Sequence, residues 1–159
     1  MDKIKHLIIY TFLLVILAVS TDLSAQGFGL MMSASEIERS KDSHTAEYSV
    51  VIDVNTFFFS KETSGYGAED PEKKYCQLSE TDLTSIYNLI KELSLLKSDT
   101  TTNDKNAVGT YFTCNLTIVD ENGRYEIMVN GADDHFDNEE LVINVKRLLS
   151  EFKSRALDC

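Results

Sequence analysis

The densest group of side chains that could do chemistry lies just before the last predicted helix. Asp133, Asp134, His135 and Asp137 fall within five residues, and carboxylates beside an imidazole can bind a divalent cation. The spacing does not follow the DxDxDG pattern of a calcium loop. Acidic residues are also favoured at a helix N-terminus, where free N–H groups and the helix dipole attract them. We therefore predict an acidic loop, Asp133–Asp137, with no bound metal and no cofactor.

Nucleophilic catalysis requires Ser, Cys or Thr beside a base, which is usually His. After the N-terminal segment the chain has two histidines, His44 and His135. The sequence contains no GxSxG, Walker, GxGxxG or HExxH motif. These features predict a protein that is not an enzyme.

The three cysteines, Cys76, Cys114 and Cys159, do not form a CxxC pair, so redox and zinc motifs of that type are absent. Cys114 falls on the predicted core face of a strand and is expected to be a buried thiol or part of a disulfide. Three states remain open for the other two: a Cys76–Cys159 bridge, free thiols, or a dimer linked through Cys159.

The N-terminus has the layout of a secretory signal peptide. Lys3 and Lys5 precede the apolar run Leu7–Val19, and Leu23-Ser24-Ala25 ends the segment. The run is shorter than the roughly 20 apolar residues that span a bilayer. We predict cleavage of residues 1–25, or alternatively cleavage after Ser20. The mature protein is then periplasmic or secreted and has no stable membrane insertion.

The charge of the mature chain narrows the classes of partner. The charges of residues 1–25 cancel, so removing them leaves the formal net charge at −11. Such a charge disfavours nucleic acid and anionic lipid surfaces, because both attract Lys and Arg clusters. It favours solubility, or a basic protein partner.

Alternating residues predict where ordered structure begins. Residues 26–45 have no period and predict a flexible lead-in to a single domain over 46–159. From residue 46 the pattern predicts one bent strand or two short ones, followed by loops over 60–73 and 97–107. The predicted core set of this strand is Tyr48, Val50, Ile52, Val54 and Phe58.

Two helices and a hairpin complete the predicted fold. Ser79 with Asp82 predicts the start of the first helix, and Asp137 with Glu140 predicts the start of the second. Asn122-Gly123 predicts a two-residue hairpin turn, with Ile118 opposite Ile127. The fold class is therefore α+β: an antiparallel sheet of about four strands with two amphipathic helices packed on one face, in the order β(β)-α-β-β-α.

If helices cover one face of such a sheet, apolar residues of the opposite parity remain on the other face. These include Phe57 and Phe59 on the first strand and Tyr111 on the hairpin, with Val51, Val119 and Met128 beside them. Tyr66, in the glycine-flanked loop after the first strand, adds an aromatic tip. Exposed apolar patches usually mark binding sites. The predicted partner-binding residues are Phe57, Phe59, Tyr66, Tyr111, Asp133, Asp134 and Asp137.

These expectations define a functional hypothesis. The chain is expected to be an exported, non-catalytic protein-binding module of the bacterial cell envelope. In its most concrete form it is an immunity or inhibitor protein that neutralises a basic toxin or hydrolase. The alternative is a periplasmic protein that binds a small ligand or a metal ion. The protein is expected to be a monomer or a homodimer.

Overall fold

A seven-stranded β-sheet forms most of the structure, a computed structural model that describes residues 27–38, 43–102, 110–132 and 136–159. The strands are β1 (Gly29–Glu38), β2 (His44–Asp53), β3 (Thr56–Gly65), β4 (Glu72–Gln77), β5 (Asp99–Thr102), β6 (Thr110–Asp120) and β7 (Gly123–Ala132). The helices are α1 (Glu80–Glu92) and α2 (Glu139–Asp158). The order in the sheet is β4-β3-β2-β1-β6-β7-β5. All neighbours are antiparallel except β5, which runs parallel to β7.

The predicted architecture is wrong. In place of about four antiparallel strands with helices on one face, the described residues form a mixed sheet of seven strands with two helices. Along the chain the elements follow the order β-β-β-β-α-β-β-β-α, whereas the sequence predicted β(β)-α-β-β-α. The sequence prediction missed β1 and β5 and ended β3 too early, because each of these segments contains many polar or small residues.

The clearest omission is β1, which lies at the centre of the sheet between β2 and β6. It falls inside residues 26–45, which were predicted to be a flexible lead-in. Leu30, Met32 and Ala34 are buried, whereas Met31 and Ser33 are exposed. The alternation is therefore that of a half-buried strand. The alternation is hard to recognise in the sequence, because the apolar residue Met31 is exposed and the small residue Ala34 is buried.

The turn between β2 and β3 corrects the predicted core parity. Asp53 pairs with Thr56, so Val54 and Asn55 alone form the connection. A two-residue connection changes the inward-facing positions from even numbers in β2 to odd numbers in β3. Phe57 and Phe59 are therefore buried, and Phe58 faces the other side. The prediction had placed these phenylalanines on the opposite faces.

The β6–β7 hairpin forms where Asn122-Gly123 predicted it, but with a different register. Leu116, and not Ile118, is paired with Ile127, and Asp120 is paired with Gly123. A shift of two residues keeps every side chain on its predicted face, since the side-chain period of a strand is two. The turn is therefore Glu121-Asn122, with Gly123 at φ 153° as the first residue of β7.

The helix starts differ in how well they were predicted. Ser79 caps α1 and forms a capping box with Asp82, as the sequence predicted. The N-cap of α2 is Asn138 rather than the predicted Asp137, and its side chain accepts a hydrogen bond from the Leu141 amide at 3.1 Å. The amide of Asn138 is in turn bonded to Thr101 of β5 at 3.2 Å. The helix therefore begins one residue later than predicted, at a residue that contacts β5, a strand that the sequence did not predict.

A single apolar cluster joins the helices to the sheet. The ring of Phe57 lies 6.1 Å from that of Phe152 in α2, and Phe28 lies 5.3 Å from Tyr87 in α1. We call the sheet face whose side chains enter this cluster the inner face. Its buried residues include Leu30, Met32, Tyr48, Val50, Ile52, Phe57, Phe59, Phe112, Cys114, Leu116, Ile118, Ile127 and Val129. Neither described helix is long and apolar enough to cross a membrane.

A disulfide joins Cys76 in the edge strand β4 to Cys159 at the end of α2, with a sequence separation of 83 residues. Of the three states left open by the sequence, the structure contains this intramolecular bridge. Cys114 is a free, buried thiol. Burial raises the pKa of the Cys114 thiol to about 12, which makes it unreactive in the folded protein.

Candidate functional site on the outer face of the sheet

Apolar side chains line up across the face of the sheet opposite the core cluster, which we call the outer face. Tyr75 pairs with Phe58, Phe58 pairs with Val51, and Val51 pairs with Met31. These four residues, the apolar band, cross β4, β3, β2 and β1 over about 14 Å. Tyr75 is 71% exposed and Met31 is 60% exposed, and the two residues between them are half-buried. The band is therefore a continuous apolar strip at the surface.

A cavity of about 350 Å³ extends the band toward β6. Met31 and Val51 form one part of its wall, and Val119 forms another. Asp53 and Arg124 contribute charged groups to the same cavity. The outer face thus offers an apolar depression bordered by one residue of each charge, a composition typical of protein interfaces.

Beyond the band, the same face is lined by small polar residues. Ser60, Ser49, Ser33 and Asn115 are successive register partners on the next row of the sheet. Toward β7 and β5 the face contains a groove of about 600 Å³, whose lining includes Ser98, Thr100, Asn115, Thr117, Glu126 and Met128. The small side chains of Ser60, Ser49 and Ser33 leave space beside the band, so a partner seated on the band can also approach this row.

Two of the predicted binding residues belong to the core. Phe57 is fully buried, and Phe59 is 2% exposed with its ring 6.3 Å from that of Tyr48. Neither side chain can meet a partner without unfolding of the sheet. Their prediction as surface residues is wrong, because the Val54-Asn55 turn reverses the parity of β3.

Of the other predicted residues, the structure describes Tyr66, Tyr111 and Asp137, which lie in three different surroundings. Tyr66 is 75% exposed in the loop after β3, and its amide donates a hydrogen bond to the Ser43 carbonyl at 3.3 Å. Tyr111 has the outer-face parity but is buried, and its hydroxyl donates a hydrogen bond to Asn130 at 2.7 Å. Asp137 is exposed next to the start of α2. Asp133 and Asp134 lie outside the described residues, as does His135.

The sequence prediction missed Met31, Phe58 and Tyr75 as surface residues. Met31 lay in the segment predicted to be flexible, and Phe58 was assigned to the core. One signal was available: Asp53-Val54-Asn55-Thr56 contains turn-forming residues that divide the strand. If a two-residue turn is placed at Val54-Asn55, the inward-facing positions change to odd numbers after the turn, and Phe58 is then predicted to face outward.

His44 is the only histidine among the residues that the structure describes. The Nδ1 atom of His44 lies 3.3 Å from the carbonyl oxygen of Tyr66, at an exposed position. Within the four described ranges, no group of three or more His, Cys, Asp or Glu side chains is placed to hold a metal ion. The exposed apolar band and the cavity beside it make the outer face the candidate functional site.

The chain matches no protein-family model, and no curated protein is a significant match.

Proposed function

We propose that this chain is an exported protein-binding module that holds a protein partner on the outer face of its sheet. The observation that carries the proposal is the apolar band, in which Met31 is 60% exposed and Tyr75 is 71% exposed beside Phe58 and Val51. Exposing a contiguous apolar strip in water is unfavourable, and such strips mark interaction surfaces. Methionine and tyrosine are also enriched at interfaces.

Two features support the exported location. The N-terminal residues have the charge and apolar pattern of a signal peptide. The Cys76–Cys159 disulfide suits an oxidising compartment such as a bacterial periplasm. In its most specific form, the proposal is an immunity or inhibitor protein that neutralises a toxin or hydrolase by covering part of its surface.

Capture experiments with paired variants test the proposal. The double substitution Met31→Ser/Tyr75→Ser removes two exposed apolar side chains from the band without opening the core. Ile143→Ser/Leu157→Ser removes two comparably exposed side chains from α2 and serves as the control. Proteins captured from extracts of the producing cells are compared by quantitative mass spectrometry. We expect a stoichiometric partner with the native protein and the control, and its loss with the band variant. Equal capture by all three proteins would contradict the proposal.

A small-ligand role is the second candidate, and it rests on the groove of about 600 Å³ beside β5. Hydroxyl and amide groups of Ser98, Thr100 and Asn115 line this groove and could orient a polar ligand. Under this alternative, a metabolite or divalent cation raises the melting temperature of the native protein but not of Asn115→Leu. If no compound shifts either protein, the alternative fails.

A further inference from the structure

Two glutamates face each other on the outer face. Glu47 of β2 and Glu62 of β3 are direct register partners, and both are exposed. Neither carboxylate is bonded to another residue in the described part of the chain. Like charges directly opposite one another destabilise a sheet. The fold therefore contains an unfavourable pair, which we call the acidic pair, that a bound cationic group would relieve.

The other charges on the outer face leave this pair uncompensated. The Arg124 guanidinium and Glu126 Oε1 are 2.7 Å apart, so these two residues neutralise each other. Asp53 adds a further carboxylate at the β2–β3 turn, and Lys73 of β4 supplies one ammonium at the sheet edge. The outer face is therefore acidic, as is the whole chain, with its net charge of −11. This charge is complementary to a basic surface.

The acidic pair and the apolar band have a fixed separation. Glu47 precedes Val51 by four residues in β2, and Glu62 follows Phe58 by four residues in β3. Because alternate residues share a face, both pairs lie on the outer face, about 14 Å apart along the strands. Ser49 and Ser60 lie between them as register partners. A single partner segment can therefore reach both features without meeting a large side chain between them.

We propose that the protein partner presents an apolar side chain to the band and an arginine or lysine to the acidic pair, with about 14 Å between the two contacts. This inference rests on the proposed function, since it names the chemistry of the partner that the outer face binds. The cation reduces the repulsion between the carboxylates on binding, and the apolar contact supplies most of the burial.

A random 12-residue peptide library displayed on phage supplies the probe. The library is selected on the immobilised full mature protein, and enriched peptides are synthesised for affinity measurements. The test variant is Glu47→Gln/Glu62→Gln, which keeps side-chain size and removes both charges. Glu121→Gln/Glu139→Gln removes two exposed carboxylates elsewhere and is the matched control. The band variant Met31→Ser/Tyr75→Ser is measured in parallel, and every affinity is determined at low and high salt.

We expect enriched peptides to carry an aromatic or aliphatic residue and a basic residue about four positions apart in an extended chain. The Glu47→Gln/Glu62→Gln variant should bind them about tenfold more weakly and lose most of the salt dependence. The same variant should melt about 1–4 °C higher than the native protein, because the repulsion within the pair is gone. If the pair had only a structural role, the same variant would not combine weaker peptide binding with a higher melting temperature.

The remaining outcomes overturn the inference in distinguishable ways. If peptides lack basic residues, or bind the charge variant as tightly as the native protein, the basic partner is wrong but the binding face stands. If binding survives in the band variant, the proposed function fails as well. If sedimentation shows a dimer that the band substitutions dissociate, the occupant is a second copy of this chain. Failure to enrich any peptide also counts against the inference.

Discussion

The hydroxyl of Tyr87 in α1 donates a 2.6 Å hydrogen bond to Oδ2 of Asp120 at the end of β6. The other carboxylate oxygen of Asp120 accepts hydrogen bonds from the amides of Asn122 at 2.8 Å and Gly123 at 3.1 Å. One carboxylate therefore fixes the β6–β7 turn and ties it to the first helix. This bracing is consistent with the turn at Glu121-Asn122, one residue earlier than the sequence predicted.

Replacing Asp120 should change how stability depends on pH. Burial opposes ionisation of Asp120, but the hydrogen bonds from Tyr87, Asn122 and Gly123 outweigh it and hold the pKa of the carboxyl below its ordinary value. Its stabilising contribution is therefore complete above an ordinary Asp pKa of about 3.9 and is lost as the pH falls through the lower folded value. The Asp120→Asn variant should have a free energy of unfolding about 1–3 kcal/mol lower than the native protein near neutral pH. On acidification, its free energy of unfolding should fall less than that of the native protein.

Urea unfolding of the native protein and Asp120→Asn between about pH 2 and 7 measures this difference. Tyr87→Phe serves as a partner variant and should cost about 1–2 kcal/mol, because it removes one donor from a buried acceptor. If the free energy of unfolding falls equally with pH in the native protein and in Asp120→Asn, the description of Asp120 as an ionised, hydrogen-bonded carboxylate is wrong.

The Cys76–Cys159 disulfide should make a large contribution to stability. It closes a long loop between the edge strand β4 and the end of α2. Cys76→Ser/Cys159→Ser should therefore lower the free energy of unfolding by about 2–5 kcal/mol. Denaturant titration measures the loss, and adding a reductant to the native protein should reproduce it. A native mass that does not change on reduction would contradict the bridge.

The Cys114 thiol should resist modification while the protein is folded. Its side chain is 1% exposed, and burial raises its pKa to about 12. A thiol reagent should therefore modify Cys114 only after denaturant unfolds the chain, as mass spectrometry can follow. Rapid labelling of the native protein at pH 7 would show that this strand opens or that the residue is accessible.

The turn residue Val54 should be a site where substitution stabilises the fold. Val54 has φ 55° and is 71% exposed, and a β-branched residue is strained in this conformation. Val54→Asn should raise the free energy of unfolding by about 0.5–1 kcal/mol, since Asn tolerates the left-handed region. Val119→Asn, at an exposed strand position, is the control and should not stabilise. A lower melting temperature for Val54→Asn would contradict the described turn.

Adjacent phenylalanines provide a direct test of the strand parity. Phe57→Ala removes a fully buried ring that contacts Phe152, so it should cost about 3–5 kcal/mol. Phe58→Ala removes a half-buried ring from the outer face and should cost about 1–1.5 kcal/mol. Thermal or urea unfolding compares the two variants. Equal losses, or a larger loss at Phe58, would show that the inward and outward positions are exchanged.

Local patterns predicted several elements of the fold but not its topology. Ser79 with Asp82 predicted the start of α1, because a capping box depends on neighbouring residues alone. The second predicted amphipathic helix is also present as α2, in which Leu141, Val145, Leu148 and Phe152 are buried. By contrast, β1 is held in place by pairing with β2 and β6, and its apolar residues are mixed with small and polar ones in a way that gives no clear local pattern.

The candidate site was harder to predict, because it depends on the turn at Val54-Asn55 and on the central position of β1. The alternation in residues 46–59 is clear, but a two-residue turn reverses which side is buried. Met31 becomes part of the site through pairing with Val51, and Tyr75 through pairing with Phe58. These are long-range relationships that a local pattern does not contain.

The central claim is that the outer face engages a protein partner, and photo-cross-linking in the producing cells tests it most directly. A photoreactive amino acid is placed at position 31 or 75 in the band, or at position 143 in α2 as the control. We predict that one partner protein is cross-linked from positions 31 and 75 and not from position 143. Cross-linking from position 143 alone, or no cross-link from either band position, would contradict the claim.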